Sequence, residues 1–305
     1  MKVAIIGAGF VGSTAAYALM IDGCASDISL IDINKEKAEG EALDLKHGTI
    51  FTPGTRITYG DSYALCKDAS IIIITAGANQ KPGETRLDLG KKNSAIIREM
   101  LPKIAKENKD AILLMVTNPL DVLTYLAVKT SGYPTSRVFG TGTLLDTARF
   151  RQYLSEYYGV NSVDVHAYIL GEHGDSEFPV WSTANISGIR LKDFKRYKTE
   201  ELDLAFEKTR TAAYEIISKK GATYYAIGLA IAKIVRVILT DQETILPVSC
   251  FVEDYYGITD VCLSLPCIVG KTGIKETVHP TLDEKERESL KKSANVIKKA
   301  IKEIL

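Results

Sequence analysis

Continuous apolar runs alternate with amphipathic stretches through the first 140 residues, and this alternation limits the fold more than any other feature of the chain. The runs are rich in Ile, Val and Leu and lack a polar residue at every second position. Strands of this kind are covered on both faces, as in a parallel sheet whose connecting helices pack on both sides. The pattern predicts a doubly wound α/β domain at residues 1–140. Strands are expected at 3–6, 28–33, 71–75, 112–116 and 137–140, and helices at 11–20, 35–47 and 94–106.

Residues 141–305 have a different pattern, in which longer helices are mixed with a few shorter strands, so we expect a second, α+β domain. No repeat or linker separates the two halves, which predicts a rigid contact with a cleft between them. The expected helices are 146–158, 199–219, 224–239 and 282–304, and the expected strands are 163–170 and 246–251.

The charge balance excludes two classes of partner. Lys and Arg total 38, as do Asp and Glu, so the formal net charge is zero. Proteins that bind nucleic acid or a membrane surface normally carry a basic excess, so we expect neither partner. No leader precedes the first strand, and no apolar run approaches the ~20 residues of a membrane span, which predicts a cytoplasmic protein. The five cysteines form no Cys-x-x-Cys pair, so we expect reduced thiols and no metal site.

A dinucleotide-binding motif lies at the first strand-to-helix turn. Segment 7–12 reads G-A-G-F-V-G, which matches Gly-x-Gly-x-x-Gly, and such glycines let the backbone approach a pyrophosphate at a helix N-terminus. Asp32 ends the second strand, where a carboxylate accepts hydrogen bonds from ribose hydroxyls and repels a 2′-phosphate, so NAD is favoured over NADP. Gly77, after strand 71–75, is either a further close approach or an ordinary turn. The predicted cofactor contacts are Gly7, Gly9, Phe10, Val11, Gly12, Asp32 and Gly77.

One histidine has the surroundings expected of a proton carrier. His173 lies in a polar, glycine-flanked loop, 171–175, directly after an apolar strand. Histidine suits proton transfer because its pKa of about 6.5 lies near working pH. A loop histidine exposed to solvent would show the same local pattern, so the residues alone leave both interpretations open.

Four motifs occur in order along the chain: GAGFVG at 7–12, TNPLD at 117–121, LDTARFR at 145–151 and GEHGD at 171–175. Together they resemble the L-lactate/malate dehydrogenase family over essentially the full length. The resemblance implies a Rossmann-type NAD-binding domain, a substrate domain and hydride transfer to or from a small L-2-hydroxy acid. One departure is Thr85 before Arg86, where many relatives have serine.

The resemblance also implies the catalytic roles. His173 is the expected acid/base, and Asp146 holds its imidazole. Arg149 binds the substrate carboxylate, and Arg86 polarises the substrate carbonyl from a loop that closes as a lid. Without the resemblance, Asp146 and Arg149 could be an ordinary i,i+3 surface pair.

Three further residues are assigned to the substrate by the same resemblance. Asn118 contacts the reacting oxygen and the cofactor, and Thr223 lines the pocket, although a helix cap is the alternative for Thr223. Gln80 stands where relatives acting on oxaloacetate have arginine, so pyruvate and L-lactate are the implied substrates. Malate dehydrogenase, or an enzyme for another L-2-hydroxy acid, is the alternative.

Arg151 and His166 resemble the positions that bind fructose 1,6-bisphosphate in allosteric bacterial relatives. A phosphate between arginine and protonated histidine is chemically reasonable, although both could be solvated structural residues. The family's usual assembly is a homotetramer. A non-catalytic NAD-sensing protein would keep the glycine loop yet could lose His173, Asp146 or Arg149, all of which are present. A Rossmann-type glycosidase fits the carboxylate-binding arginine less well.

Overall fold

The computed structural model describes residues 1–78, 83 and 85–305, with Arg86 described for its backbone only. Its main feature is a nine-stranded sheet in the order β14-β13-β12-β6-β5-β4-β1-β2-β3. The first six strands are parallel and have the order 3-2-1-4-5-6, which confirms the predicted doubly wound fold class, although β3 was not among the predicted strands. These strands are β1 (Lys2–Ile6), β2 (Asp27–Ile31), β3 (Arg56–Gly60), β4 (Ala69–Ile74), β5 (Ile112–Met115) and β6 (Val138–Gly140).

The described residues form eight α-helices, and none of these is long and apolar enough to cross a membrane. Helices α1 to α4 belong to the first half of the chain, and α5 to α8 belong to the second half. Their bounds are α1 (Phe10–Asp22), α2 (Lys35–Gly48), α3 (Arg86–Glu107), α4 (Leu120–Thr130), α5 (Leu144–Tyr158), α6 (Thr199–Lys220), α7 (Tyr225–Leu239) and α8 (Glu284–Ile304).

The parallel strands are buried on both faces, which explains their uninterrupted apolar sequence. On β4, Ile71 and Ile73 belong to one core cluster and Ile72 and Ile74 to another, and all four are fully buried. Successive side chains of a strand point to opposite faces, so each face needs its own apolar set. Burying one such side chain stabilises the fold by about 1.5–3 kcal/mol.

The second half of the chain continues the same sheet with an antiparallel unit. Strand β12 (Thr244–Val252) joins β6 through the pairing of Ser249 with Gly140, then pairs along its whole length with β13 (Val261–Gly270). Strand β14 (Gly273–Thr277) forms the edge. The sequence predicted only part of β12 and none of β13, whose Pro266 lowers its strand signal. The two halves are therefore joined by backbone hydrogen bonds as well as by side-chain packing.

Several sequence-based elements differ from the structure: the helix expected at 94–106 begins earlier, at Arg86, and β3, β14 and α4 were not predicted. The expected strand 163–170 is wrong as one element, because it is divided between two small sheets. The first sheet contains β7 (Val165–His166), β10 (Asn185–Ile186) and β11 (Ile189–Arg190). The second contains β8 (Ile169–Leu170) and β9 (Phe178–Pro179). Apolar periodicity continues through both pieces, but the hydrogen-bonding partner changes between them. The second strand ends at Ile31, because the Asp32 side chain accepts a hydrogen bond from the Asn34 N–H and turns the chain.

Candidate active site

The predicted cofactor residues meet at the carboxyl edge of the parallel sheet. The glycine loop follows β1, Asp32 follows β2, and Gly77 and Asn118 follow β4 and β5. The strand order reverses between β1 and β4, and ligands of open α/β sheets bind in the crevice at such a switch point. The tertiary structure thus brings together residues that lie more than one hundred positions apart in the sequence.

The glycine loop forms a cradle that side chains would fill. Gly7 has a φ of +105°, and a Cβ on Gly12 would lie 1.8 Å from the Gly7 carbonyl oxygen. A Cβ on Gly9 would meet nothing closer than the Lys37 Nζ at 4.0 Å, so the space in front of this backbone is open. Gly9 is also the N-cap of α1 and supplies no side-chain cap. Unpaired N–H groups facing open space suit the pyrophosphate of a dinucleotide.

Asp32 is fixed beside this loop. Its Oδ2 accepts a hydrogen bond from the Ala8 N–H at 2.8 Å, and its Oδ1 accepts one from the Asn34 N–H at 2.9 Å. The carboxylate is partly exposed and keeps further lone pairs for ribose hydroxyls. These residues therefore fit NAD.

Gly77 and Asn118 are connected by a residue that the sequence analysis missed. Asn93 on α3 accepts a hydrogen bond from the Ala78 N–H at 2.7 Å and donates one to the Asn118 carbonyl oxygen at 2.8 Å. A Cβ on Gly77 would lie 2.5 Å from the Thr117 Cγ2, so packing alone already requires glycine there. Asn93 is buried on α3. The available sequence signal for its role as a link was a polar residue on the apolar face of an amphipathic helix.

Phe10 and Val11 begin α1 at the same edge of the sheet. Phe10 is 69% exposed, and its ring stacks on Tyr224 at a centroid distance of 5.2 Å, while Val11 is half-buried. Tyr224 follows the predicted pocket residue Thr223, which lies half-buried just before α7. The cofactor loop and the predicted substrate segment are therefore in contact.

His173, Asp146 and Arg149 form one connected cluster. The His173 Nδ1 lies 2.6 Å from the Asp146 Oδ2, and the Arg149 Nη1 donates to the Asp146 Oδ1 at 2.9 Å. Asp146 and Arg149 are one turn apart on α5, and their side chains are 5% and 13% exposed. The pair is thus buried, unlike the surface pair that an isolated Asp-x-x-Arg would suggest. The imidazole is 27% exposed, so ligands can reach it.

This cluster stabilises a protonated imidazole. Burial opposes the charged form, but the charge and hydrogen bond of Asp146, followed by the charges of Asp121 and Glu177, raise the pKa of His173 to about 9. Burial likewise acts to raise the pKa of Asp146, and the opposing effects of His173 and Arg149 leave it lowered. The pair is therefore an imidazolium beside a carboxylate at neutral pH, which is a proton donor held in place.

Two further carboxyl groups close to His173 were not assigned from the sequence. Glu177 is buried, and its pKa is raised by burial and then by the charge of Asp146. Asp121 is buried at the start of α4 and accepts a hydrogen bond from the His173 main-chain N–H. Asp121 belongs to the TNPLD motif, which was the available signal, whereas Glu177 had none.

The ligating atoms of Asp146, His173 and Glu177 lie within 4.8 Å of one another, as in many metal sites. Their other partners make a cation unfavourable. Both oxygens of Asp146 already accept hydrogen bonds, one of them from the positive Arg149 guanidinium. Glu177 favours its neutral form.

The remaining predicted residues lie away from the His173 cluster or outside the described residues. Gln80 and the Arg86 side chain lie outside the described residues. The backbone of Arg86 begins α3, directly after the N-cap Thr85, whose hydroxyl accepts a hydrogen bond from the Asp88 N–H. Arg151 lies on α5 and donates to the carbonyl oxygens of Ser162 and Val163, which precede His166 of β7 by four and three positions. His166 is exposed.

Comparison with known proteins agrees with this geometry. A family model described as the lactate/malate dehydrogenase NAD binding domain matches residues 1–140, and one described as the alpha/beta C-terminal domain matches residues 143–305. The chain belongs to the lactate/malate dehydrogenase family. It is accordingly an NAD-dependent oxidoreductase, and the cofactor and the fold predicted from the sequence are confirmed.

Relatives within this family are similar over nearly their full length. The chain is 50% identical to L-lactate dehydrogenase of Acetivibrio thermocellus, covering 99% of this chain and 96% of the relative. It is 48% identical to L-lactate dehydrogenase of Clostridium botulinum strain Loch Maree, covering 98% and 96%.

Two solved structures superimpose closely. One is MGS-M5, a lactate dehydrogenase from a Medee basin deep-sea metagenome library, at 45% identity and a TM-score of 0.96, covering 99% of this chain and 98% of that one. The other is the minor L-lactate dehydrogenase of Enterococcus mundtii, at 41% identity and a TM-score of 0.97, covering 100% and 98%.

Proposed function

We propose that this family member is an L-lactate dehydrogenase, which reversibly reduces pyruvate with NADH to give L-lactate. The observation that carries the proposal is the shared carboxylate of Asp146, which holds the His173 imidazole on one oxygen and the Arg149 guanidinium on the other. A proton donor is thereby fixed next to a cation suited to a substrate carboxylate. The similar relatives named L-lactate dehydrogenase support the same substrate. We also propose that residues 1–140 form the NAD-binding domain and residues 141–305 the substrate domain.

Each residue has a distinct task in the proposed reaction. NADH supplies the hydride when bound, in the cradle formed by the glycine loop and Asp32. Arg149 binds the pyruvate carboxylate in a two-pronged ion pair and so orients the carbonyl carbon. As the carbonyl oxygen becomes negative, it takes a proton from the His173 imidazolium, with Arg86 and Asn118 stabilising that oxygen. Asp146 keeps the imidazole oriented, and lactate oxidation runs the same steps in reverse.

The preference for pyruvate rests on one loop position and the pocket. Gln80 is neutral where relatives acting on oxaloacetate have arginine, and Thr223 would face the same end of the substrate. Burying the second carboxylate of oxaloacetate without a cationic partner, in a site that excludes water, would cost several kcal/mol. Burying even a neutral polar group without a hydrogen bond costs about 2–7 kcal/mol. Malate dehydrogenase is the alternative activity, and it requires a cation that this position lacks.

The test is NADH oxidation with pyruvate and with oxaloacetate, followed by the loss of NADH absorbance. We expect a clear preference for pyruvate, and Gln80→Arg should shift the ratio toward oxaloacetate. His173→Ala should lower turnover about 10²–10⁴-fold while NADH binding is retained. His47→Ala on α2 is the matched control and should leave both unchanged. A preference for oxaloacetate in the unmodified enzyme would contradict the proposal.

We further propose activation by fructose 1,6-bisphosphate at Arg151 and His166. The guanidinium of Arg151 is anchored on the segment that leads into β7, and His166 is exposed on that strand, so both can face one anionic ligand. The bisphosphate should lower the pyruvate concentration at half-saturation, and Arg151→Gln should abolish this response. Arg56→Gln on β3, whose exposed side chain pairs with Asp27, is the control. If the bisphosphate alters neither the saturation curve nor the assembly state, the effector proposal fails.

A cytoplasmic homotetramer completes the proposed function. Large apolar side chains are exposed on the first half of the chain, including Ile50 at 82% and Phe51 at 87%. Exposed apolar surface of this kind favours burial against another copy. Light scattering coupled to size-exclusion chromatography measures the molar mass, and a monomer at micromolar concentration would contradict this assembly.

A further inference from the structure

Asp121 joins three segments that are far apart in the sequence. It lies in the first turn of α4, and its side chain is buried. Its Oδ2 accepts the His173 main-chain N–H at 2.7 Å, and its Oδ1 accepts the Ser249 Oγ–H at 2.6 Å. Ser249 is fully buried on β12, 128 positions along the chain from Asp121.

An aspartate in the first turn of a helix ordinarily interacts with the unpaired N–H groups of that turn, whereas the Asp121 side chain bonds to other segments. Carboxylates in the first turn of a helix are favoured because they accept the unpaired N–H groups there. The N-cap of α4 is Pro119, which supplies no side-chain cap, yet both Asp121 oxygens are directed to other segments. Burial raises the pKa of Asp121 to about 6, against the lowering effects of Ser249 and His173. Burying a carboxylate costs free energy of folding, so a buried Asp121 points to a role beyond stability.

The His173 segment needs such external anchors. Gly171 has a φ of +95°, and Gly174 follows directly after His173, so the flanking backbone imposes little restriction on the histidine. Neighbouring positions are also held from outside: Gly171 pairs with Ser264, and the Glu172 N–H donates to the Ser293 Oγ. The hydrogen bond from His173 to Asp121 is the contact at the histidine's own backbone.

We propose that Asp121, itself held by Ser249, is a positioning residue. It fixes the main chain of His173 so that the imidazole lies within hydrogen-bonding distance of both Asp146 and the substrate oxygen. This inference rests on the proposed dehydrogenase function. Two carboxylates from two helices would then fix the position of His173. Asp121 on α4 holds its main chain, and Asp146 on α5 holds its imidazole ring. A shift of about 1 Å at a reacting group costs up to about 10²-fold in rate, so loss of the backbone anchor affects turnover.

The test compares three variants by steady-state kinetics with pyruvate. Asp121→Ala removes both hydrogen bonds and should lower kcat about 10- to 100-fold. Asp121→Asn should restore most of this loss, since its amide oxygen can accept the His173 N–H while its NH₂ donates to the Ser249 hydroxyl. Ser249→Ala frees the carboxylate to rotate and should lower kcat by an intermediate factor. The Kd for NADH, from fluorescence titration, should stay within about twofold in all three, because the glycine loop is untouched.

Thr124→Val is the matched control on the same helix. Thr124 is fully buried, and its hydroxyl donates to the Leu120 carbonyl oxygen of α4. It has no contact with His173, so kcat should be unchanged even if the variant is less stable. The pH dependence of kcat/KM is a second readout. The charged groups that act on the imidazole are Asp146 from α5, Asp121 from α4 and Glu177 from its own segment. Arg149 and Glu172 act in turn on these carboxyl groups.

The outcomes separate this inference from the proposed function. If the unmodified enzyme does not oxidise NADH with pyruvate, the proposed function fails and these variants are not needed to show it. If the unmodified enzyme is active and Asp121→Ala keeps kcat within about twofold, the positioning role is refuted. An Asp121→Asn variant as slow as Asp121→Ala also refutes it, since the hydrogen bonds would be present without effect. Should Asp121→Ala fail to fold, Ser249→Ala decides: an unchanged kcat refutes the positioning role, and a reduced kcat with normal NADH binding supports it.

Discussion

Replacing Asp146 by asparagine tests the electrostatics of the active site most directly. Each oxygen of Asp146 has its own partner, His173 on Oδ2 and Arg149 on Oδ1. Asparagine has a single oxygen and no charge, so it cannot serve both partners and cannot stabilise an imidazolium. We therefore expect the pKa of His173 to fall while the fold is retained, because the two side chains have nearly the same size.

The structure gives the size of this effect. The pKa of His173 is raised from 6.5 to about 9, with Asp146 as the leading favourable contribution. This rise corresponds to about 3 kcal/mol in favour of the imidazolium. Pyruvate reduction needs protonated His173, so in the unmodified enzyme kcat/KM should be constant at neutral pH and fall as the pH rises through about 9. In Asp146→Asn the midpoint should fall to about 6.5 or below, and the proton-donor form at pH 8 should be about 30-fold less populated.

The assay is the pH profile of kcat/KM for pyruvate at saturating NADH, paired with the profile for L-lactate oxidation. Oxidation needs neutral His173, so its rate should rise with pH through about 9 in the unmodified enzyme and at lower pH in Asp146→Asn. Asp193→Asn is the matched control, because Asp193 forms the same i,i+3 pair with Arg190 on an exposed surface. A midpoint that moves by less than about half a pH unit in Asp146→Asn would refute the assigned electrostatics.

Two predictions concern the cofactor site. Gly12→Ala should raise the Kd for NADH by at least about tenfold, because its Cβ would lie 1.8 Å from the Gly7 carbonyl oxygen, and NADH fluorescence would measure the change. Gly40→Ala on α2, where a Cβ meets nothing within 4 Å, is the control, and equal binding by both variants would contradict the cradle. Asp32→Ser should raise the ratio of NADPH to NADH activity by at least about tenfold, since it removes the charge that repels a 2′-phosphate. An unchanged cofactor ratio would show that the Asp32 carboxylate does not select NAD.

The sequence by itself determined the parallel half of the fold and the cofactor. Short apolar runs rich in β-branched residues, such as that of β4, favour strands covered on both faces, and the glycine spacing of 7–12 favours a tight turn with open backbone in front of it. Both signals are local, because periodicity and turn geometry are properties of a few consecutive residues. The resemblance to the family then supplied roles for Asp146 and Arg149, which their spacing alone could not distinguish from a surface pair.

Only the tertiary structure decided which distant groups meet. The antiparallel strands β12 and β13 extend the same sheet, and Pro266 of β13 lies opposite Pro247, a pairing that strand propensity would not predict. Asp121 meets both the His173 segment and Ser249 because α4 and β12 are packed together, although 128 positions separate Asp121 from Ser249. Such contacts depend on how the whole chain packs to bury its apolar surface, and no local sequence pattern carries that information.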